Sequence, residues 1–213
     1  MTAGIHNSAD IIGVVGATSM GKGLYIKADL RRVPRSRGIV VWSPLEETDN
    51  YAEVIGGRAY TSIAEAVTAI KRGEKRIVFV PKEGDKAMKE QFDRFCRMVW
   101  HLEGWIAVIE ELSGVTQASW APPAWKKLST AGRHRGLKIY GTSQRPALVD
   151  KSFFGNCTEI RCYRLGYEDD AKTMKSVMFI DHRELLKLQQ FQFIHHHKAT
   201  GMNQAGVVYP PKK

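Results

Sequence analysis

The sequence predicts an α/β fold with a mainly parallel central sheet flanked by helices and a small β-hairpin at its carboxyl end. Two observations carry this expectation. Short, almost unbroken apolar runs recur along the 213 residues, and segments of helical periodicity separate them. Such runs mark strands buried on both faces, the signature of a parallel sheet covered by helices. In addition, glycines, carboxylates and a glutamine stand directly after three of the runs, where open α/β sheets place their ligands.

The first run, residues 11–15, reads as a strand entering a glycine-rich loop, with a helix over 22–30. GIVVW at 38–42 is a second strand, stopped by Ser43-Pro44. A helix over 61–71 places Ile63, Val67 and Ile70 on one face, with Thr61 or Ser62 as its cap. RIVFV at 76–80 is a third strand, ended by Pro81. The long amphipathic helix over 85–102 aligns Met88, Phe92, Phe95 and Val99. WIAVI at 105–109 is a fourth strand. Pro122 and Pro123 open a helix to residue 131. Two further strands are expected over 137–142 and 158–163. The tail, 191–213, is expected as a hairpin of 191–195 with 206–209, packed on a domain spanning 1–190. His195-His196-His197 lies in it. Adjacent strand residues face opposite ways, so the three cannot readily share one ion.

Composition narrows the function classes. The formal net charge is +10, which favours a polyanionic partner, nucleic acid ahead of an anionic membrane. Three cysteines, Cys96, Cys157 and Cys162, do not make a disulfide framework and suggest a reducing compartment, and Cys157 and Cys162 read as buried small residues. No apolar run approaches the ~20 residues of a membrane helix. MTAGIHNSAD shows no basic-then-apolar leader pattern.

The chemistry lies at three strand ends. VVGATSMGKGLYI nearly matches the phosphate-binding pattern G-x-x-x-x-G-K-[ST]. Gly16, Ala17, Thr18, Ser19, Met20 and Gly21 would form an anion nest at a helix N-terminus, continued by Lys22, Gly23 and Leu24. Lys22 would reach the β- and γ-phosphates of a nucleotide. Gly23 stands where a Ser or Thr would ligate Mg²⁺. Thr18 and Ser19 are not spaced to replace it, so water is expected to complete the metal shell. After WIAVI come Glu110, assigned to Mg²⁺, and Glu111, assigned as general base. After the strand at 137–142 come Ser143, Gln144 and Arg145. Gln144 is placed to sense the γ-phosphate or to position water.

GATSMGKG, then VIEEL, then STAGRHRGLKIYGTSQRP, resembles the FtsK/HerA superfamily of P-loop DNA-translocating ATPases, a RecA-like fold. Ala131-Gly132-Arg133-His134 and Thr142-Ser143-Gln144-Arg145-Pro146 match the family's A-G-x-H and T-Q-R-P segments, with one residue inserted before Gln144. FFGNCTEIRCYRL extends the likeness to residue 165. The small size suggests the viral genome-packaging branch. A zonular-occludens-toxin-like phage assembly ATPase is an alternative, and its members carry a membrane segment. The resemblance implies ATP with Mg²⁺, double-stranded DNA, and a homo-oligomeric ring of six or five subunits. It further implies capsid or portal-vertex proteins as partners, in the host cytoplasm or at a virion packaging vertex. Arg133, Arg135 and Arg145 are candidates for an arginine acting on a neighbouring subunit's site. Arg31, Arg32, Arg35 and Arg37, in RRVPRSR, are candidates for sequence-independent DNA contact, with Lys82, Lys86 and Lys89 as a second surface. Gly23 also sustains a different reading, a nucleotide-binding structural or regulatory subunit without turnover.

Overall fold

The computed structural model describes residues 9–210. The leader reading of residues 1–8 and the last three residues of the tail, 211–213, lie outside them. The described chain runs β1 (Ile11–Val15), α1 (Lys22–Arg31), β2 (Ile39–Trp42), α2 (Glu46–Asp49), α3 (Tyr51–Ile55), β3 (Arg58–Tyr60), α4 (Ile63–Lys71), β4 (Arg76–Phe79) and α5 (Asp85–Trp100). It continues through β5 (Ile106–Ile109), α6 (Pro123–Ala131), β6 (Lys138–Ser143), α7 (Lys151–Asn156), β7 (Glu159–Tyr163), α8 (Glu168–Met178), α9 (His182–Lys187), β8 (Gln192–His197) and β9 (Met202–Val207).

The strands form one nine-stranded sheet in the order β3-β4-β2-β5-β6-β1-β7-β8-β9. Every pairing from β3 across to β7 is parallel, and β8 and β9 add an antiparallel hairpin on the far side of β7. The unbroken apolar runs have the expected cause. In β1, Ile11 and Val15 join the core on one face, while Ile12 and Val14 join the core on the other. In β2, Val40 and Trp42 point one way, and Ile39 and Val41 the other.

The larger core lies under α4 to α9 and holds a run of aromatic rings. Trp42 packs on Phe79, Phe92 and Phe95, and Phe92 continues through Trp125 to Phe153 and Phe154. Gly141 in β6 makes room for this row. A Cβ there would meet Phe153 Cζ at 2.5 Å and Leu112 Cδ1 at 2.7 Å. The smaller core packs Ile26 and Leu30 of α1 with Tyr51 and Ile55 of α3. All three cysteines are buried thiols.

The structure departs from the expected elements in three places. Helices α7, α8 and α9 stand where the sequence reading named no element. The hairpin strands are longer than the sequence suggests, and the turn is confined to residues 198–201, because His195, His196 and His197 pair in register with Gln204, Asn203 and Met202. Polar residues hide this pairing from a hydrophobicity pattern. Residues 45–60, without periodicity in the sequence, form two short helices and the edge strand β3. Gly56 and Asn50 adopt left-handed backbone between them (φ 61° and 53°).

Candidate phosphate-binding and acid–base site

Strands β5, β6 and β1 are neighbours, so their carboxyl ends bring the three chemical segments together. The loop after β1 is sewn down by backbone bonds: Gly16 N donates to Ser143 O (3.2 Å) and Ala17 N to Arg164 O (2.8 Å). Gly16 (φ 152°) and Gly21 (φ 117°) take backbone that side chains disfavour. A Cβ on Gly16 would stand 2.6 Å from Tyr163 Cβ. Ser19 is also left-handed, with φ 60°. Gly21 caps α1, and the first intrahelical bond is Tyr25 N to Gly21 O. The N–H groups of Lys22, Gly23 and Leu24 thus have no intrahelical acceptor, and they sit at the positive end of a ten-residue helix.

Lys22 Nζ donates to Gly16 O (2.6 Å) and Ala17 O (3.1 Å), which holds it over the loop. Burial lowers its ammonium below the ordinary lysine value, and the carboxylates of Glu111, Glu110 and Asp49 oppose that shift. Glu110 accepts from Tyr51 Oη and from Thr142 Oγ1 (2.5 Å). Burial nevertheless raises its carboxyl above the usual range, because desolvation outweighs these bonds.

Glu111, like Ser19, is a strained residue of the site, with φ 53° and ψ 64°. A non-glycine residue there costs on the order of 1–3 kcal/mol. The turn aims its carboxylate back at the end of β6. There it accepts from Ser113 Oγ, from Ser143 Oγ (3.2 Å) and from Gln144 N (3.2 and 3.3 Å). Its own N–H donates to Thr142 Oγ1 (3.0 Å). Thr18 Oγ1 donates to Gln144 Oε1 (2.6 Å), tying the loop after β1 to the end of β6. Ser143, the inserted residue, both donates to Glu111 and accepts from Arg145 N (3.0 Å).

The crevice has walls that sequence reading missed. Leu45, Thr48 and Asp49 enter from α2 and its approach, Lys27 from α1, and Gln190 and Phe191 from the approach to β8. Gln190 Nε2 donates to Ser19 O (3.1 Å), and Phe191 N to Met20 O (3.2 Å). No motif marks these residues, since each reaches the loop through tertiary packing. Asp49 stands in a stretch with no periodicity and no recognisable spacing to the loop.

Among the donors expected for a divalent ion, position 23 carries no hydroxyl. Each Glu110 oxygen already accepts a hydroxyl hydrogen, and the Lys27 ammonium lines the same wall. Among the described residues, no group of three or more His, Cys, Asp or Glu could hold a metal. These residues do not fit an ion held by protein side chains alone: position 23 gives no ligand, and Glu110 is already engaged by two hydroxyls.

The candidate arginines separate. Arg145 is committed within its own chain: Nε donates to the buried Asp170 (2.8 Å), and the guanidinium lies 3.9 Å from the Tyr167 ring centroid. Arg133 and Arg135 sit just before β6, whose other end carries Gln144. A six-residue strand spans about 20 Å, so neither reaches this crevice. Arg135 pairs with Glu103 (2.9 Å), and Arg133 is exposed. Of the loop arginines, Arg31, Arg32 and Arg35 are exposed and Arg37 is half-buried. Arg35 donates to the carbonyls of Ile55 and Gly56, and Arg37 to that of Gly104. Lys82, Lys86 and Lys89 are at the surface, Lys86 and Lys89 beside Trp120 and Pro122. His196 is buried on Asn203 (2.9 Å), while His195 and His197 face Glu159 on the other side of the sheet.

No family model matches the chain. Protein P9 of Pseudoalteromonas phage PM2 is 26% identical over 189 residues, covering 83% of this chain and 78% of that protein. The genome packaging NTPase B204 of Sulfolobus turreted icosahedral virus 2, in complex with AMPPCP, superposes with a TM-score of 0.72 at 15% identity, over 92% of this chain and 96% of that one. VirB4 of Thermoanaerobacter pseudethanolicus superposes with a TM-score of 0.71 at 10% identity, over 99% and 92%. The fold is that of the P-loop NTPases.

Proposed function

We propose that this chain is an ATP-hydrolysing DNA translocase that packages double-stranded viral DNA as a ring-shaped motor. The observation that supports it most is the convergence at the ends of β1, β5 and β6. A phosphate nest, a carboxylate held by three donors and a glutamine tied to the nest stand together. The likeness of fold to B204, a genome packaging NTPase, and the sequence likeness to a phage protein support a packaging motor over a small-molecule kinase.

In this reading the free N–H groups of the loop and of the first turn of α1 bind the phosphates, and Lys22 turns its ammonium toward the β- and γ-phosphates. Glu111, its carboxylate oriented by Ser113, Ser143 and the Gln144 amide, takes a proton from the attacking water. Gln144 orients that water or contacts the γ-phosphate. Thr18 would report the state of the loop to β6 through the same glutamine. Glu110, bonded to Tyr51 and Thr142, braces the carboxyl end of β5. Arg133 or Arg135, beside the amino end of β6, would serve a neighbour's crevice in a head-to-tail ring of six or five subunits. The net charge of +10 suits DNA read through its phosphates alone.

The test is ATP hydrolysis with and without duplex DNA, beside Lys22→Ala and Glu111→Gln. DNA-stimulated turnover in the wild type, lost in both variants, is the expected result. Nucleotide binding that needs Lys22, with no turnover under any DNA or salt condition, would instead support a binding subunit, the reading that Gly23 favours.

A further inference from the structure

The backbone at Gly23 is ordinary helix, and nothing in the fold demands glycine there. A Cβ built on it meets only Lys27 Cε and Nζ, each at 3.9 Å. Lys27 lies one turn further along the same face of α1, so its ammonium is the group a side chain at position 23 would touch first. The ammonium stands 5.0 Å from the centroid of the Tyr51 ring, whose hydroxyl donates to Glu110. Lys27 therefore lies next to Asp49, whose carboxylate its charge favours, in the wall of the crevice that also contains Lys22, Glu110 and Gln144. The Asp49 carboxylate acts on it from α2, so a positive charge here is electrostatically supported.

We propose that Lys27 is a second phosphate-binding lysine whose ammonium supplies, for the bound triphosphate, the positive charge that a divalent ion supplies where position 23 bears a hydroxyl. This rests on the nucleotide-binding reading above and adds a distinct property to it. Nucleotide binding in this protein is largely indifferent to removal of divalent metal. A neighbouring ammonium and a bound dication compete for one place, since like charges a few ångströms apart repel strongly in a partly buried site. Gly23 and Lys27 are then two halves of one exchange: the hydroxyl is absent because the cation is built into the helix.

The experiment titrates the full-length chain with a fluorescent ATP analogue in excess Mg²⁺ and in excess EDTA. It compares wild type, Lys27→Met, Lys27→Arg, and Lys27→Met combined with Gly23→Ser, with Lys22→Ala as the reference. Thermal unfolding verifies that each variant is folded. The wild-type Kd is expected to differ by less than about threefold between the two conditions. Lys27→Met should weaken binding in EDTA by at least about tenfold, equivalent to about 1.4 kcal/mol. Lys27→Arg should restore most of the loss, and the double variant should bind well only with Mg²⁺. Wild-type binding that collapses in EDTA, or Lys27→Met indistinguishable from wild type there, overturns the inference while leaving nucleotide binding intact. Absence of binding by wild type under both conditions, or binding unaffected by Lys22→Ala, overturns the inference together with the nucleotide-site reading beneath it.

Discussion

At the scale of single residues, Lys22, Glu111 and the loop glycines carry different kinds of burden. Lys22 lies over the loop, with its charge disfavoured by burial. Lys22→Ala should cost nucleotide affinity at least about tenfold, in line with losing a charged hydrogen-bonding group, while leaving the fold intact by circular dichroism. Glu111→Gln should retain nucleotide affinity within about threefold and abolish turnover, read by binding and hydrolysis assays on the same preparation. Gly16→Ala and Gly23→Ala form a contrast. The first forces a Cβ to 2.6 Å from Tyr163 at a φ of 152°, whereas the second meets nothing closer than 3.9 Å in a helix. Gly16→Ala should lower the unfolding temperature by several degrees. Gly23→Ala should hold or raise it, by an amount near the roughly 0.5–1 kcal/mol that glycine costs inside a helix. Equal melting temperatures for the two would contradict the geometry.

At the scale of elements, the hairpin is where side-chain chemistry and sheet pairing meet. β8 sets His195 against Arg161 and Glu159 of β7. Burial first, then Arg161 and the neighbouring His197 and His196, push the His195 ring down to about 4, and the Glu159 carboxylate at 3.4 Å does not reverse this. A folded-state value below the unfolded one means that the native chain binds fewer protons. Its contribution is intact above about pH 6.5 and is lost as the pH falls from there toward 4. The melting temperature should fall between pH 7 and pH 5, and His195→Gln should flatten that slope. An unchanged slope would place the acid sensitivity elsewhere. Within the large core, Trp125 bridges Phe92 and Phe153 with no exposure. Trp125→Ala should destabilise by roughly 3–5 kcal/mol, measurable by denaturant unfolding. The same elements show what pattern reading finds and misses. Phe92, Phe95 and Val99 announce α5 because their spacing is physical amphipathicity. Residues 45–60 announce nothing, because α2 and α3 are each about one turn long and are held by packing and left-handed caps rather than by periodicity.

At the scale of the whole molecule, the proposed motor requires basic surface left free by the fold. Arg35 and Arg37 are spent on backbone carbonyls, so Arg31 and Arg32 are the better DNA contacts in that segment. Binding to duplex DNA of any sequence should weaken at least about tenfold between roughly 50 and 200 mM salt. Arg31→Ala with Arg32→Ala should reduce the salt slope by about one to two without altering thermal stability. A salt-independent affinity would exclude phosphate contact as the mode of binding.

The α/β class, the glycine-rich turn between β1 and α1 and the two acidic residues after β5 were determined by the sequence alone, because each depends on residues close together in the chain. Apolar runs bury on both faces, glycines admit a turn into a helix N-terminus, and the carboxyl ends of strands present their next residues to the crevice. The tertiary structure alone decided three further matters. Tyr51 and Thr142 bond Glu110 from elements 59 and 32 residues away. Arg145 is consumed by Asp170, 25 residues downstream, whereas Arg133 lies before the amino end of β6, away from the crevice. Gln190 and Phe191, in a tail without any motif, close over the loop at Ser19 and Met20. Such contacts join residues distant in sequence through packing, and no local spacing encodes the distance between two side chains that meet only after the sheet has assembled.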